Sequence, residues 1–428
     1  MEKFFQLKAH NTNVKTEIMA GITTFMTMAY ILAVNPGILS AAGMPAGGVF
    51  TATALSALIA TLVMGLLANL PIALAPGMGL NAFFAFTVVL GMGYSWQLAL
   101  TAVFLEGVVF ILMSLFNIRE AIVRAIPSNI KKATSVGIGL FIAFIGLQNA
   151  GIVVNNDATL VGLGTITSGP ALVAIIGIVL TGVLLAFKVK GALLIGIIGT
   201  TIIGIPFGVT AIPEGWMPFK LPDAPLLFQF QFDKIFTLDF FVVFFTFLFV
   251  DIFDTIGTLV GVTTQAGLIK PNGDIPKVKQ ALLADAIGTV AGAALGTSTV
   301  TSYVESASGV AEGGRTGLTA VSTSVFFGLA LFLSPVFLLV PGAATAPALI
   351  LVGLFMLSPV KELDLTDFTE AIPAFITMIF MPLTYSIAEG LVFGILSYIF
   401  LKAITGKFKD ISIVTWIVGA FFILKHLL

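Results

Sequence analysis

Seven carboxylates stand in stretches that are otherwise apolar: Glu106, Asp251, Asp254, Asp285, Glu305, Glu312 and Glu389. Ionisable side chains at membrane depth are costly and mark functional sites by default. Asp251 and Asp254, in Phe-Val-Asp-Ile-Phe-Asp-Thr-Ile-Gly, are three residues apart and share one helix face. Two carboxylates that close do not both ionise readily, so one can carry a proton. Asp251 reads as a ligand contact or proton carrier. Asp254 reads as the partner that supports the site by bonding neighbouring hydroxyls, or that couples to the proton. Glu305 reads as a direct ligand contact. Asp285, among small residues, suits a bridge between helices; Glu106 and Glu389 are lesser candidates, and Glu312 is structural. The only histidines, His10 and His426, lie near the ends, so a proton relay must run through carboxylates or water.

Two short stretches must position these acids. Residues 71–83 read Pro-Ile-Ala-Leu-Ala-Pro-Gly-Met-Gly-Leu-Asn-Ala-Phe. Pro76, Gly77 and Gly79 make a continuous helix improbable there. Residues 296–309 read Gly-Thr-Ser-Thr-Val-Thr-Ser-Tyr-Val-Glu-Ser-Ala-Ser-Gly, whose Thr and Val suit an extended strand. Irregular backbone survives at membrane depth only inside protein or beside a watery cavity, so both stretches belong in the interior, where they could pair. Each leads into a half-helix whose free N–H groups point at the midplane, with Asn81 and Glu305 at the two helix starts. A blander reading, in which Gly and Ser only permit tight helix packing, accounts poorly for Pro-Gly-Met-Gly.

The rest of the chain is built to hold such a site in lipid. Of 428 residues 58% are apolar and 10% charged, and the mean hydropathy is +1.11. A soluble domain carries roughly 25% charge, so a soluble enzyme, a nucleic-acid binder and a disordered scaffold are excluded together. The net charge of −1 points to no charged partner, and the absence of Cys excludes disulfides and thiolate chemistry. The fold class is an all-α polytopic membrane protein with short strands in two broken spans. Apolar segments fall at 16–34, 49–69, 80–92, 97–117, 130–149, 170–187, 190–206, 236–264, 279–296, 304–313, 317–339, 343–358, 369–384 and 386–404. The third and tenth are too short to cross alone. A further stretch, 410–427, is read as interfacial.

Fourteen spans with both tails inside put seventeen of the twenty Lys and Arg on the cytoplasmic side, leaving Lys220 and Lys234 outside and Lys425 in the tail. A proline-rich extracytoplasmic linker, 207–235, separates a first repeat (1–206) from a second (236–404), followed by an apolar tail (405–428). Seven spans per half force the halves into opposite orientations, as in inverted-repeat transporters. Pro127 and Pro341, each opening a span, lie half the chain length apart.

A site of two or three carboxylates, the Asn81 carboxamide, helix amides and the rings of Phe83, Phe84 and Tyr303 suits a flat neutral ligand rich in N–H donors. The same hard oxygens could hold Na⁺. An inorganic anion would want Arg or Lys nearby. Three other readings are weaker: an anion carrier of the sulfate or bicarbonate type lacks that positive charge, a passive channel would need a continuous polar stripe, and an intramembrane protease would set its aspartates in a Gly-x-Gly-Asp context.

Ala-Pro-Gly-Met-Gly-Leu-Asn-Ala-Phe (75–83), Phe-Val-Asp-Ile-Phe-Asp-Thr-Ile-Gly-Thr (249–258) and Val-Glu-Ser-Ala-Ser-Gly-Val-Ala-Glu-Gly-Gly-Arg-Thr-Gly (304–317) together resemble the AzgA-like purine permeases, a branch of the nucleobase–cation symporters grouped with the nucleobase–ascorbate transporters. The likeness extends from residue 4 to residue 387, with Ser308 standing where many relatives carry Ala. It implies a proton-coupled importer of hypoxanthine, guanine or adenine in the cell (inner) membrane, N-terminus cytoplasmic, with no cofactor. It further implies a core of spans 1–4 and 8–11 moving against a gate of spans 5–7 and 12–14, and a homodimer joined through the gate. Gly79, Asn81, Asp251, Asp254 and Glu305 fall on that family's binding positions.

Overall fold

The computed structural model describes residues 2–115, 127–269 and 275–427. It is a mostly helical bundle, and among the described residues ten helices are long and apolar enough to cross a membrane. In chain order the helices are α1 (Val14–Met28), α2 (Ile31–Ala41) and α3 (Ala46–Val63, continued as a π-helix to Ala68). Strand β1 (Leu74–Pro76) and the short α4 (Met78–Ala82, extended as a π-helix to Gly91) come next, then α5 (Trp96–Leu115). After α6 (Ser128–Asn149), strands β2 (Val153–Asn156) and β3 (Leu160–Leu163) form a hairpin, followed by α7 (Gly169–Ala186) and α8 (Ala192–Gly204).

The second half opens with α9 (Leu238–Gln265) and α10 (Val278–Leu295). Strand β4 (Val300–Ser302) and α11 (Ser306–Ala311) lead to α12 (Gly317–Ala330, carried on to Leu338). The chain ends with α13 (Gly342–Met356), α14 (Phe368–Leu383), α15 (Ile387–Ile404) and α16 (Ile413–Leu427).

Small residues let particular helices close on one another. A Cβ on Gly21 of α1 would come 2.5 Å from Ser322 of α12; one on Gly107 of α5 would come 2.7 Å from Val290 of α10; and one on Gly288 of α10 would come 2.5 Å from Ala60 of α3. A second group closes around α6, where a Cβ on Gly137 would lie 2.6 Å from Met381 Sδ of α14 and one on Gly139 would lie 2.7 Å from the Gly353 carbonyl of α13. Residues 207–235 are irregular and run over the ends of the first group. Thr51 donates to the Asp223 carbonyl (2.7 Å), the Gln231 N–H donates to Thr101 (2.8 Å), and the Phe228 N–H donates to the Ala294 carbonyl (2.9 Å).

The structure differs from the sequence reading in three places. The first apolar segment does not end at 34: α2 carries Pro36 within it, and Asn35 stays buried by donating to Thr53 (2.7 Å) and Thr297 (2.8 Å). Proline marks a helix end only where its lost N–H bond has no tolerant context. The β2–β3 hairpin was not anticipated; its turn is held by the Asn156 carboxamide, which accepts from the Ala158 (2.9 Å) and Thr159 (3.1 Å) N–H groups. Helix α16 runs back along α15, with Asp410 beside Lys402 and Gly419 against Ile399, and Phe422 meets Phe245 of α9 (6.1 Å between ring centroids). This packing is not readable from the tail's apolar composition.

Candidate functional site

At the centre β1 and β4 pair antiparallel, Leu74 opposite Ser302, Ala75 opposite Thr301 and Pro76 opposite Val300. Three residues per strand cannot satisfy their own backbone, and both strands are fully buried, so the surrounding helices must supply partners. They do so with hydroxyls. Thr61 of α3 both donates to and accepts from Leu74 at 2.9 Å, and Thr289 of α10 does the same for Val300 at 2.9 and 3.3 Å. The side chains before and within β4 reach a different helix at nearly every step: Ser298 donates to Asn81 of α4, Thr299 to Glu106 of α5 (2.7 Å), and Thr301 shares a hydrogen bond with Thr255 of α9 (2.8 Å).

Tyr303 follows β4 and closes the ladder. Its N–H donates to the Ala73 carbonyl (2.9 Å) and its hydroxyl to the Pro76 carbonyl (2.6 Å). Glu305 then stands at the N-cap position of α11, its side chain making no capping bond, and is partly exposed. Its Oε1 accepts from the Tyr30 hydroxyl at 2.6 Å, and its backbone carbonyl receives a longer contact from Thr27 (3.4 Å). Asp254 is likewise partly exposed, whereas Asp251, one turn back on α9, is fully buried. Thr255 stands between two acids, donating to Asp285 of α10 (2.8 Å) with Asp251 at 3.4 Å. Of the α9 pair, Asp251 is the buried one beside the Thr255 hydroxyl and Asp254 is the one left partly exposed. The cause is that Thr255 lies at i+4 from Asp251, on the side of α9 facing α10 and β4.

The other expected residues lie deeper. Asn81 is fully buried and sits one turn inside α4, because Gly77, still extended at ψ 128°, is the N-cap and the helix starts at Met78. The expectation that Asn81 stands at the helix start is thus corrected. Gly79 faces α6, where a Cβ would come 2.6 Å from Ile138 Cγ2. Phe83 and Phe84 are buried against Phe247 of α9, at 4.9 and 6.4 Å between centroids. Glu312 pairs with Lys190, and Glu389 lies in the first turn of α15, its N–H donating to Ser386 (3.2 Å).

Sequence reasoning passed over three residues that matter here. Glu17, completely buried in α1, accepts at the start of α12 from the N–H groups of Arg315 (2.9 Å), Thr316 (3.3 Å) and Thr319 (3.1 Å), and from the Thr316 (2.9 Å) and Thr319 (2.6 Å) hydroxyls. Tyr30 and Thr255 carried one usable signal, hydroxyls recurring among polar residues within apolar spans, with Thr27 before Tyr30 and Asp254 before Thr255. Among the described residues no group of three or more His, Asp or Glu has the arrangement of a metal site.

The chain matches the permease family known as Xan_ur_permease over residues 15–393. The guanine/hypoxanthine permease PbuG of Bacillus subtilis is 47% identical over 99% of this chain and 99% of its own, and the adenine permease AdeQ of Escherichia coli is 45% identical over 100% of this chain and 96% of its own. The chain belongs to this permease family. Within it, these likenesses make it one of the AzgA-like purine permeases. Among solved structures, the transmembrane domain of the cyanobacterial bicarbonate transporter BicA superposes with a TM-score of 0.69, covering 89% of this chain and 97% of that one at 16% identity. At that identity the likeness establishes a shared fold. The chain is a multi-pass membrane transporter.

Proposed function

We propose that the protein imports purine nucleobases (hypoxanthine, guanine or adenine) across the cell inner membrane together with a proton. The observation that carries this reading is Glu305, held by Tyr30 at the junction of a membrane-buried strand and a half-helix, with Asp254 as a second accessible carboxylate. A purine presents ring N–H groups that a carboxylate accepts, ring nitrogens and a keto or amino group that amides and hydroxyls bond, and a flat face for aromatic contact. Asn81, Gly79, Asp251, Phe83 and Tyr303 complete the proposed pocket, the buried members shaping it and the accessible ones touching the ligand. Protonation of one carboxylate would lower the cost of carrying the site through lipid, coupling base movement to H⁺; Na⁺ is the alternative coupling ion.

On this reading the chain has fourteen spans in two inverted repeats, 1–206 and 236–404, with the N-terminus cytoplasmic. The core is α1–α5 and α9–α12, the gate α6–α8 and α13–α15, and two copies join through the gate. The two glycine-lined packing groups support that division, and the antiparallel β1–β4 pair supports the inverted repeats. Motion of core against gate would expose the site to each side in turn.

An anion carrier is the second reading, favoured by the fold shared with a bicarbonate transporter. Against it, among the described residues no Lys or Arg is paired with Asp254 or Glu305, and the sequence relatives carry purine names. Uptake of labelled hypoxanthine, guanine and adenine in a host lacking its own purine uptake decides between them. Accumulation abolished by a protonophore supports the proposal; no purine accumulation, with bicarbonate or sulfate uptake instead, overturns it.

A further inference from the structure

We infer that Tyr30 is the positioning residue of the purine site, fixing the Glu305 carboxylate so that one oxygen is presented to the ligand; this rests on the function proposed above. Tyr30 is 1% exposed and sits in the two-residue turn between α1 and α2. From there its hydroxyl crosses to α11 and meets Glu305 Oε1 at 2.6 Å, the short distance of a hydrogen bond to a charged oxygen. Thr27, three residues earlier on the same face, reaches the Glu305 carbonyl at 3.4 Å, so the first span touches both the side chain and the backbone of this one residue.

The arrangement has a directional consequence. Among the described residues Oε1 accepts from the Tyr30 hydroxyl, and the carboxylate's other hydrogen bond comes from Glu305's own N–H, so Oε2 accepts none from another side chain. A carboxylate at the end of a three-bond Glu side chain samples several rotamers when free, and ordering it costs entropy that a ligand would otherwise have to offset. A phenol is well suited to this duty: its rigid ring is held by packing, and its O–H can donate to Oε1 whether Glu305 is ionised or carries a proton on Oε2. Tyr303 is not available for the task, since its hydroxyl is committed to the Pro76 carbonyl. The first span thereby belongs to the site, although it carries no carboxylate that faces the ligand.

The test is the dissociation constant of hypoxanthine, guanine and adenine on purified full-length protein, with the thermal unfolding midpoint recorded for each variant. Tyr30→Phe keeps the ring and removes one hydroxyl; it should weaken binding about tenfold while the unfolding midpoint stays within a few degrees. Glu305→Asp withdraws the carboxylate from Tyr30 and leaves Tyr30 intact; in that background Tyr30→Phe should add less than about twofold. Unchanged affinity for Tyr30→Phe, or the same tenfold loss in both backgrounds, overturns the assignment alone. A wild-type protein that binds none of the three purines overturns the function on which it rests.

Discussion

Thr61 donates to the carbonyl of Leu74 and accepts from its N–H, both at 2.9 Å, in the manner in which Thr289 brackets Val300 on the other strand. One hydroxyl per strand supplies a backbone partner that the two-stranded ladder cannot. The pairs occupy matching places, a helix two elements before each half-helix, and both leave the inner faces of β1 and β4 free to meet each other.

Replacing either threonine with valine keeps the shape and strands a buried N–H and carbonyl. Each orphaned group costs about 1–3 kcal/mol, so Thr61→Val and Thr289→Val should each lower the unfolding midpoint of detergent-purified protein clearly, and Thr→Ser at the same positions should recover most of the loss. Equal midpoints for Thr and Val would show that the strands find other partners.

Glu17 anchors α1 to the start of α12 through five hydrogen bonds, where the helix dipole also favours a negative charge. Glu17→Ala leaves several buried donors without an acceptor, at a cost of several kcal/mol. The expected outcome is a marked fall in membrane abundance with an unchanged KM in the surviving fraction. A normal amount of protein with an altered KM would instead put Glu17 in the transport site.

Gly79 lets α4 approach α6 closely enough that a methyl group would press on Ile138. Gly79→Ala should therefore reduce purine uptake, and Ile138→Ala in the same chain should restore much of it by vacating the space. If Gly79→Ala transports like the wild type, the close approach has no bearing on the site.

How much of this was legible beforehand varies with the physics of each feature. Pro76, Gly77 and the Thr/Ser run at 297–302 announced the broken segments, because local backbone preference is written in local sequence. Partnerships across hundreds of residues are not. Glu17 finds its donors 298 to 302 positions away, and nothing near Thr255 says that it stands between Asp251 and Asp285. The different burial of Asp251 and Asp254 has the same origin: sequence spacing puts both on one face, but only the neighbouring helix decides which of them is covered.

A surface cluster at the ends of α14 and α15 offers a test by pH. The Asp367 carboxyl is held below the usual carboxylate range, chiefly by the hydrogen bond from Lys407 at 2.7 Å and then by those from Thr369. A carboxyl shifted down stabilises the fold fully above its unfolded value near 4 and loses that contribution as the pH falls through the folded value. Lys407→Ala should thus lower the unfolding midpoint by the same amount at about pH 8 and pH 5 and by less below about pH 4. A difference that grows on acidification would contradict the assignment.

The most direct measurement is a structure of the protein with guanine or hypoxanthine bound. The account predicts the base beside the paired strands β1 and β4, with a ring N–H within about 3.2 Å of Glu305 Oε2. A base held away from Glu305 and Asp254, or lodged against lipid-facing helices, would contradict it.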